Sequence, residues 1–365
     1  MTVDVGLLER SIGGFGLPGP EPPPIELPAE RWRPFIATLS TGRMTGIAVA
    51  AAAAGHLRLT DEQTEELLER HRDAMVWSLT IERRLLGLAE AFEDAGVGML
   101  VLKGPAVAHT MYPDPSWRAF GDLDLLVPTS AWRRALEVLA GLGFERRLPE
   151  PRPGFDERFG KAAVHTNGDG VDIDLHRTLV LGPFGLWIKP DELARRSIPF
   201  PLGGRVLRRL DDTSLLLHAC MHASLGWRPP LLWTLRDVAQ VAWSGLVDWD
   251  ELADLARRWR LRAVVRHAMT TASETLEVSL PVEAGPLLSA EAPRRERRVL
   301  DSYVTERRGR GGTELATLKA IPGLRGKAAY LRMLLFPGRA FLAARGRSPL
   351  RRLLIPVRWV AGRRR

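Results

Sequence analysis

The apolar positions of this chain change period along its length, and the changes mark out its organisation. From Arg31 to Gly96 they recur at helical spacing. Thr60-Asp61-Glu62-Gln63 reads as a helix start, with Thr60 able to cap and Gln63 able to close a capping box. The run that follows to Ala95 sets Leu67, Leu85, Leu88 and Phe92 among charged residues and holds no proline. It fits one long helix or two in succession. At Val97 a short apolar run begins and continues to Leu102, between Gly96 and Gly104, which predicts a buried strand. Pro105 to Met111 predicts a helix, Leu123 to Val127 a second strand, and Trp132 to Leu142 an amphipathic helix closed by Gly143. Val171 to Leu175 alternates apolar and polar residues and predicts a third strand. Strands separated by helices indicate an α/β unit over about residues 96–205.

Helical spacing returns after Asp211, over Thr213–Leu225, Leu232–Trp243 and Trp249–His267, with a last set after Ala292. Residues 1–30 contain Leu17-Pro18-Gly19-Pro20-Glu21-Pro22-Pro23-Pro24, which predicts an extended lead-in. The expected organisation is therefore a lead-in to residue 30, an N-terminal helical segment over 31–95, the α/β unit over 96–205, a helical domain over 206–345 and a basic tail over 346–365. No internal repeat is present.

Composition narrows the classes. At 365 residues the chain exceeds what one core usually serves, about 250–300 residues. Its single cysteine, Cys220, excludes a disulfide framework and a cysteine-rich zinc site and fits a reducing cytoplasm. The N-terminus lacks the basic and apolar regions of a secretory signal, and no apolar run approaches the roughly 18 residues that cross a bilayer. A soluble protein is expected. The net charge of +9 comes almost wholly from arginine, with lysine only at 103, 161, 189, 319 and 327, which looks compositional rather than selected for a nucleic-acid face. The arginine-rich end from Arg345 to Arg365 reads as a solvated tail, or as a contact for RNA, membrane or an acidic partner.

The chemistry gathers in two short stretches. In Gly121-Asp122-Leu123-Asp124-Leu125-Leu126-Val127, strand alternation sends Asp122 and Asp124 to one face and Leu123 and Leu125 into a core. Adjacent carboxylates repel unless a cation lies between them, so the pair makes sense as a platform for Mg²⁺. In Val171-Asp172-Ile173-Asp174-Leu175-His176, Asp172, Asp174 and His176 share a face and can bring a third carboxylate to a second ion. Upstream, Gly104 ends one strand and opens a helix, where backbone amides approach a phosphate, and Lys103 beside it is a rare lysine. Arg118 stands just before the aspartates and is placed to neutralise phosphate charge. His218 and His222 have the spacing that grips zinc, but Ala219 replaces the glutamate of a zinc-protease helix and no third ligand is evident, so packing or substrate contact is expected. His109, His165 and His176 are candidates to line the same cleft, and the tryptophans at 227, 233, 243, 249 and 259 read mainly as core.

Together, Leu102-Lys103-Gly104, Tyr112-Pro113, Arg118, the segment Gly121–Val127 and the segment Val171–His176 closely resemble the uncharacterised nucleotidyltransferase family of the DNA polymerase β-like superfamily. Leu217–His222, Arg236-Asp237 and Asp248-Trp249 resemble that family's helical half, and the likeness spans roughly residues 60–275. It implies an α+β fold: a nucleotidyltransferase core with a small mixed sheet, flanked by N-terminal helices and a C-terminal helical domain. It also implies metal ligation by Asp122, Asp124 and Asp174, with Lys103, Gly104 and Arg118 toward the nucleotide. The implied reaction transfers a nucleoside monophosphate from an NTP, with two Mg²⁺ ions, to an acceptor hydroxyl or phosphate, with a peptide natural product or saccharide as the acceptor class that the resemblance suggests. One departure is the absence of the superfamily's Gly-Ser turn, replaced here by Lys103-Gly104-Pro105. The rival reading keeps the fold as a catalytically inactive binding module that uses its basic surface. A metal-dependent hydrolase is disfavoured, because no histidine–carboxylate cluster stands outside the two aspartate strands.

Overall fold

The computed structural model describes residues 5–20, 24–227, 229–304 and 312–345; the arginine-rich segment 346–365 lies outside them. Where an extended lead-in was expected, helix α1 (Val5–Gly14) forms, and strand β1 (Ile25–Glu26) follows the proline run. Helices α2 (Ala29–Thr41) and α3 (Thr45–Ala53) lead to β2 (Leu57–Arg58), which pairs in parallel with β1. Then comes α4 (Asp61–Asp94), one unbroken helix of 34 residues rather than two. Its capping box is closed both ways: Gln63 N–H donates to Thr60 Oγ1 at 3.2 Å, and Thr60 N–H to Gln63 Oε1 at 3.0 Å.

The sheet begins with β3 (Leu100–Val101), shorter than the apolar run that predicts it, followed by α5 (Pro105–Met111) and β4 (Leu123–Leu126). After α6 (Trp132–Gly141) come β5 (Glu145–Arg146), α7 (Phe155–Arg158), β6 (Ala162–Thr166) and β7 (Asp172–His176). Helices α8 (Pro183–Trp187) and α9 (Pro190–Arg196) precede the hairpin of β8 (Ile198–Leu202) and β9 (Arg205–Arg209). The order is β5-β6-β7-β4-β3-β9-β8, with β4/β7 and β3/β9 parallel and the other neighbours antiparallel. The mixed sheet has seven strands, three of which the sequence pattern marks. Pro199 and Pro201 disguise β8, and they are tolerated because it is an edge strand. Gly203 and Gly204, with φ of 54° and 79°, supply the tight turn into β9, which carries the sheet past the boundary expected at 205.

Period-two alternation sends Val101, Leu123, Leu125, Ile173 and Leu175 to one face of the sheet, where they pack with Ile81, Leu85 and Phe92 of α4 and Trp132 and Leu139 of α6. Leu100, Leu102 and Leu126 join the opposite core, which also holds Phe35 of α2, Leu216 of the next helix and Val264 further on. That helical part comprises α10 (Asp212–Leu225), α11 (Leu232–Ala242), α12 (Trp249–Arg258) and α13 (Arg262–Leu276). Beyond it lie α14 (Gly285–Ser289), α15 (Arg294–Val304), α16 (Gly312–Ala320), α17 (Leu324–Leu335) and α18 (Arg339–Ala344). The apolar run Trp249–His267 is thus two helices. The break falls at Arg260, whose φ of 58° is left-handed and whose guanidinium lies 4.8 Å over the Trp187 ring. The result is a mixed fold in which a seven-stranded sheet has helices on both faces. Among the described residues no helix is long and apolar enough to cross a membrane.

Candidate active site

β4 and β7 run parallel with Asp124 directly opposite Asp174, so the two carboxylates stand side by side on the face shared with Leu126 and His176. Ligand atoms of Asp124, Asp174 and His176 all lie within 4.8 Å of one another. Such a pair is repulsive unless compensated, and the compensation comes from the chain itself. Lys103 Nζ is 2.9 Å from Asp124 Oδ2, and His176 Nε2 is 2.9 Å from Asp124 Oδ1. Burial pushes the Asp124 carboxyl up, but Lys103 and then His176 more than offset it and hold the group well below the usual carboxylate range. His176 is itself anchored by Nδ1 to the Thr178 carbonyl at 3.1 Å. These two contacts fix the orientation of the ring beside Asp124.

The other residues singled out by the sequence fall in different places. Asp174 keeps 23% of its side chain exposed, so it is the open member of the pair. Asp122 lies just before β4, is half-exposed, and meets Arg43 Nη1 at 3.5 Å; it is not part of the close group. Asp172 is held by Arg147 at 2.7 Å, away from the cluster. Gly104 adopts φ 55°, ψ −116° at the start of α5, a conformation costly for any other residue, and it lets the chain turn directly after Lys103. Arg118 departs most from expectation. Where a phosphate contact was expected, the structure places a buried bidentate pair, Nε to Asp237 Oδ1 and Nη2 to Asp237 Oδ2, both at 2.8 Å. Tyr112 donates to the same Oδ1 at 2.8 Å, and the guanidinium lies 4.5 Å over the Trp233 ring. Next to Asp237, Arg236 donates to the carbonyls of Gly13 and Phe15 at 2.8 and 2.6 Å, which ties α1 to α11.

Two cations near the aspartates escape the sequence reading. Lys161, just ahead of β6, is lowered by burial and then by Lys103, and pulled up by Asp124, Asp174 and Asp122. The scarcity of lysine that singles out Lys103 applies to it equally. Arg43 sits in a left-handed turn (φ 54°) between α2 and α3 and stacks 5.1 Å over Trp233; nothing local in the sequence marks it. On the facing helix α10, His218 is buried and His222 partly so; burial, then the charge of Lys103, pushes both well below the ordinary histidine value, so both rings are neutral at neutral pH. Their centroids are 6.5 Å apart, and His222 meets Trp233 edge-on at 5.1 Å. Neither belongs to a metal-capable group among the described residues. His109 is engaged by Glu82 at 2.7 Å, and His165 by the Ala163 carbonyl at 3.0 Å.

The donor set suits a hard divalent cation: adjacent carboxylates of Asp124 and Asp174, with Asp122 next in the chain, offer oxygen and no thiolate. Comparisons with known proteins bear on the class. The family model for uncharacterised nucleotidyltransferases matches residues 28–277. Among solved structures, the chain is similar to an antigenic nucleotidyltransferase-like protein from Paracoccidioides brasiliensis, with 13% identity, a TM-score of 0.33, and coverage of 58% of this chain and 94% of that one. No curated protein matches.

Proposed function

The chain belongs to the family of uncharacterised nucleotidyltransferases, and from that premise we propose that it transfers a nucleoside monophosphate from an NTP to an acceptor hydroxyl or phosphate. The observation that carries this reading is the register of β4 against β7, which sets Asp124 beside Asp174 on the face toward α10. Asp122, Asp124 and Asp174 are the ligands we assign to Mg²⁺, which when bound supplies positive charge to the nucleotide phosphates and to the attacking oxygen. Lys103 and Lys161 are the cations available to the polyphosphate, and Gly104 lets the backbone approach it. The acceptor oxygen forms a bond to the α-phosphorus as the bond to pyrophosphate breaks, and Asp174, the open carboxylate, takes the hydroxyl proton. We assign Arg118 a positioning role through Asp237, and His218 and His222 to the wall that meets the acceptor. A hydroxyl on a peptide natural product or a saccharide is the acceptor class we favour. A single buried cysteine, Cys220, fits the cytoplasm as the place of action.

One observation favours the second reading, a binding module without transfer: Lys103 already neutralises Asp124, so the aspartates persist without a metal. Isothermal titration with ATP, GTP, CTP and UTP, with and without Mg²⁺, separates the two. For the transferase, one nucleotide binds only with Mg²⁺, and the signal vanishes in Asp122→Asn/Asp124→Asn. Binding that ignores Mg²⁺ and survives that double substitution would sink the transferase reading.

A further inference from the structure

Each oxygen of Asp124 already has a partner from within the chain: His176 on Oδ1 and Lys103 on Oδ2, both at 2.9 Å. The carboxylate is buried, with 3% of its side chain exposed, whereas Lys103 retains 14% and reaches it from the edge of the cleft. His176 is fully enclosed and fastened at its other nitrogen to Thr178, so it is fixed in place. Of the two partners only Lys103, on a flexible four-carbon stem, can leave. A divalent cation shared between Asp124 and Asp174 would bring two positive charges to within a few ångströms of that ammonium, where repulsion and competition for Oδ2 act together.

We propose that Lys103 is a resident counter-ion, holding on Asp124 the place that the divalent cation takes, so that the cation enters together with its polyphosphate. The exchange is one of ion pairs. Asp124 gives up the Lys103 ammonium and receives the metal, while the phosphate oxygens that accompany the metal receive Lys103. Lys161, which feels the charge of the same carboxylates and of Lys103, is the second cation to which those oxygens turn. A bare metal ion brings no anion to accept the displaced ammonium, so it binds weakly. This inference rests on the metal-site reading above and supplies its regulation: the carboxylates stay charge-compensated until the nucleotide complex arrives.

The test uses Mn²⁺ alone, an oxygen-accepting ion visible by paramagnetic resonance, on the full chain. Wild type is compared with Lys103→Met, which keeps the stem and removes the charge, and with Lys103→Arg, which keeps the charge. The expected outcome is weak Mn²⁺ binding by wild type and Lys103→Arg, and binding by Lys103→Met tighter by about tenfold or more, the scale of a coupling between two neighbouring sites. Equal or weaker binding by Lys103→Met, or none by any of the three, overturns the proposal. Should Lys103→Met fail to fold, wild type alone decides. Reductive methylation read by mass spectrometry should rise at Lys103 when Mn²⁺ saturates the protein, with Lys189, Lys319 and Lys327 as unchanged references. Unchanged or reduced labelling of Lys103 overturns it. If Mn²⁺ shows the expected shift yet no NTP binds, the transferase reading fails while the counter-ion role stands.

Discussion

Three hydrogen bonds converge on Asp237: it accepts from Arg118 twice and from Tyr112 once, in the seam between sheet and helices. Both Arg118 and Asp237 are almost fully buried. Asp237→Ala therefore leaves a guanidinium without a counter-charge, and stability should fall by about 3–5 kcal/mol in urea denaturation. The double replacement Arg118→Met/Asp237→Leu should recover much of that loss, because no buried charge is stranded. If both variants melt alike, the pair is not what holds the seam. The aspartate spacing groups Asp122 with Asp124 and Asp172 with Asp174, because alternation in a strand is local; which of them stand opposite each other depends on the register of β4 against β7, which the spacing does not carry. The fate of Arg118 was illegible, since its partner lies 119 positions away. Arg43 was hidden for the same reason, and its left-handed turn has no signature without glycine or asparagine.

At the scale of elements, local chemistry proved readable wherever it was strong. The capping box at Thr60 and the unbroken polar–apolar rhythm after it specify α4, and Thr60→Ala should cost about 1 kcal/mol, measured by thermal melting. A cost near zero would mean that packing alone sets where α4 begins. Helix α10 is buried on nearly all sides, so its apolar run was legible while its orientation was not. Strands β5 and β9 carry too much arginine and glutamate to look like strands, and β8 contains two prolines. They exist because neighbours pair with them, not because their residues favour extension. The split of Trp249–His267 likewise depends on Arg260, whose backbone strain is supported by the Trp187 ring.

The whole molecule carries several histidines that are neutral because it is folded. His165 is pushed down by burial from 6.5 to about 4, and His71, His218 and His222 are lowered too. Each binds fewer protons folded than unfolded once the pH falls below 6.5, so acidification from there favours the unfolded chain. Asp124 has the opposite kind of shift; its stabilisation is present above 3.8 and is lost only below that, outside this window. Asp156, raised by burial, acts in the opposite sense to the histidines, as one carboxyl against four rings. The melting temperature should therefore drop between about pH 6.5 and pH 4, and His165→Asn should flatten the slope. A melting temperature constant over that interval would contradict the assignment of these rings as neutral.

The order of strands in the sheet also governs how the protein comes into being. Asp124 acquires its neighbour only when β7 docks on β4, and β3 gains its outer flank only from Arg209 in β9. Pairings so distant along the chain close slowly, after nearby helices such as α4 have formed. On a ribosome, the nascent chain would hold its cluster of aspartates and lysines unassembled until β7, which ends at His176, had emerged. The ion-pairing centre thus waits on β7, and a translation product truncated before that strand would carry every motif residue of β4 without a partner for it.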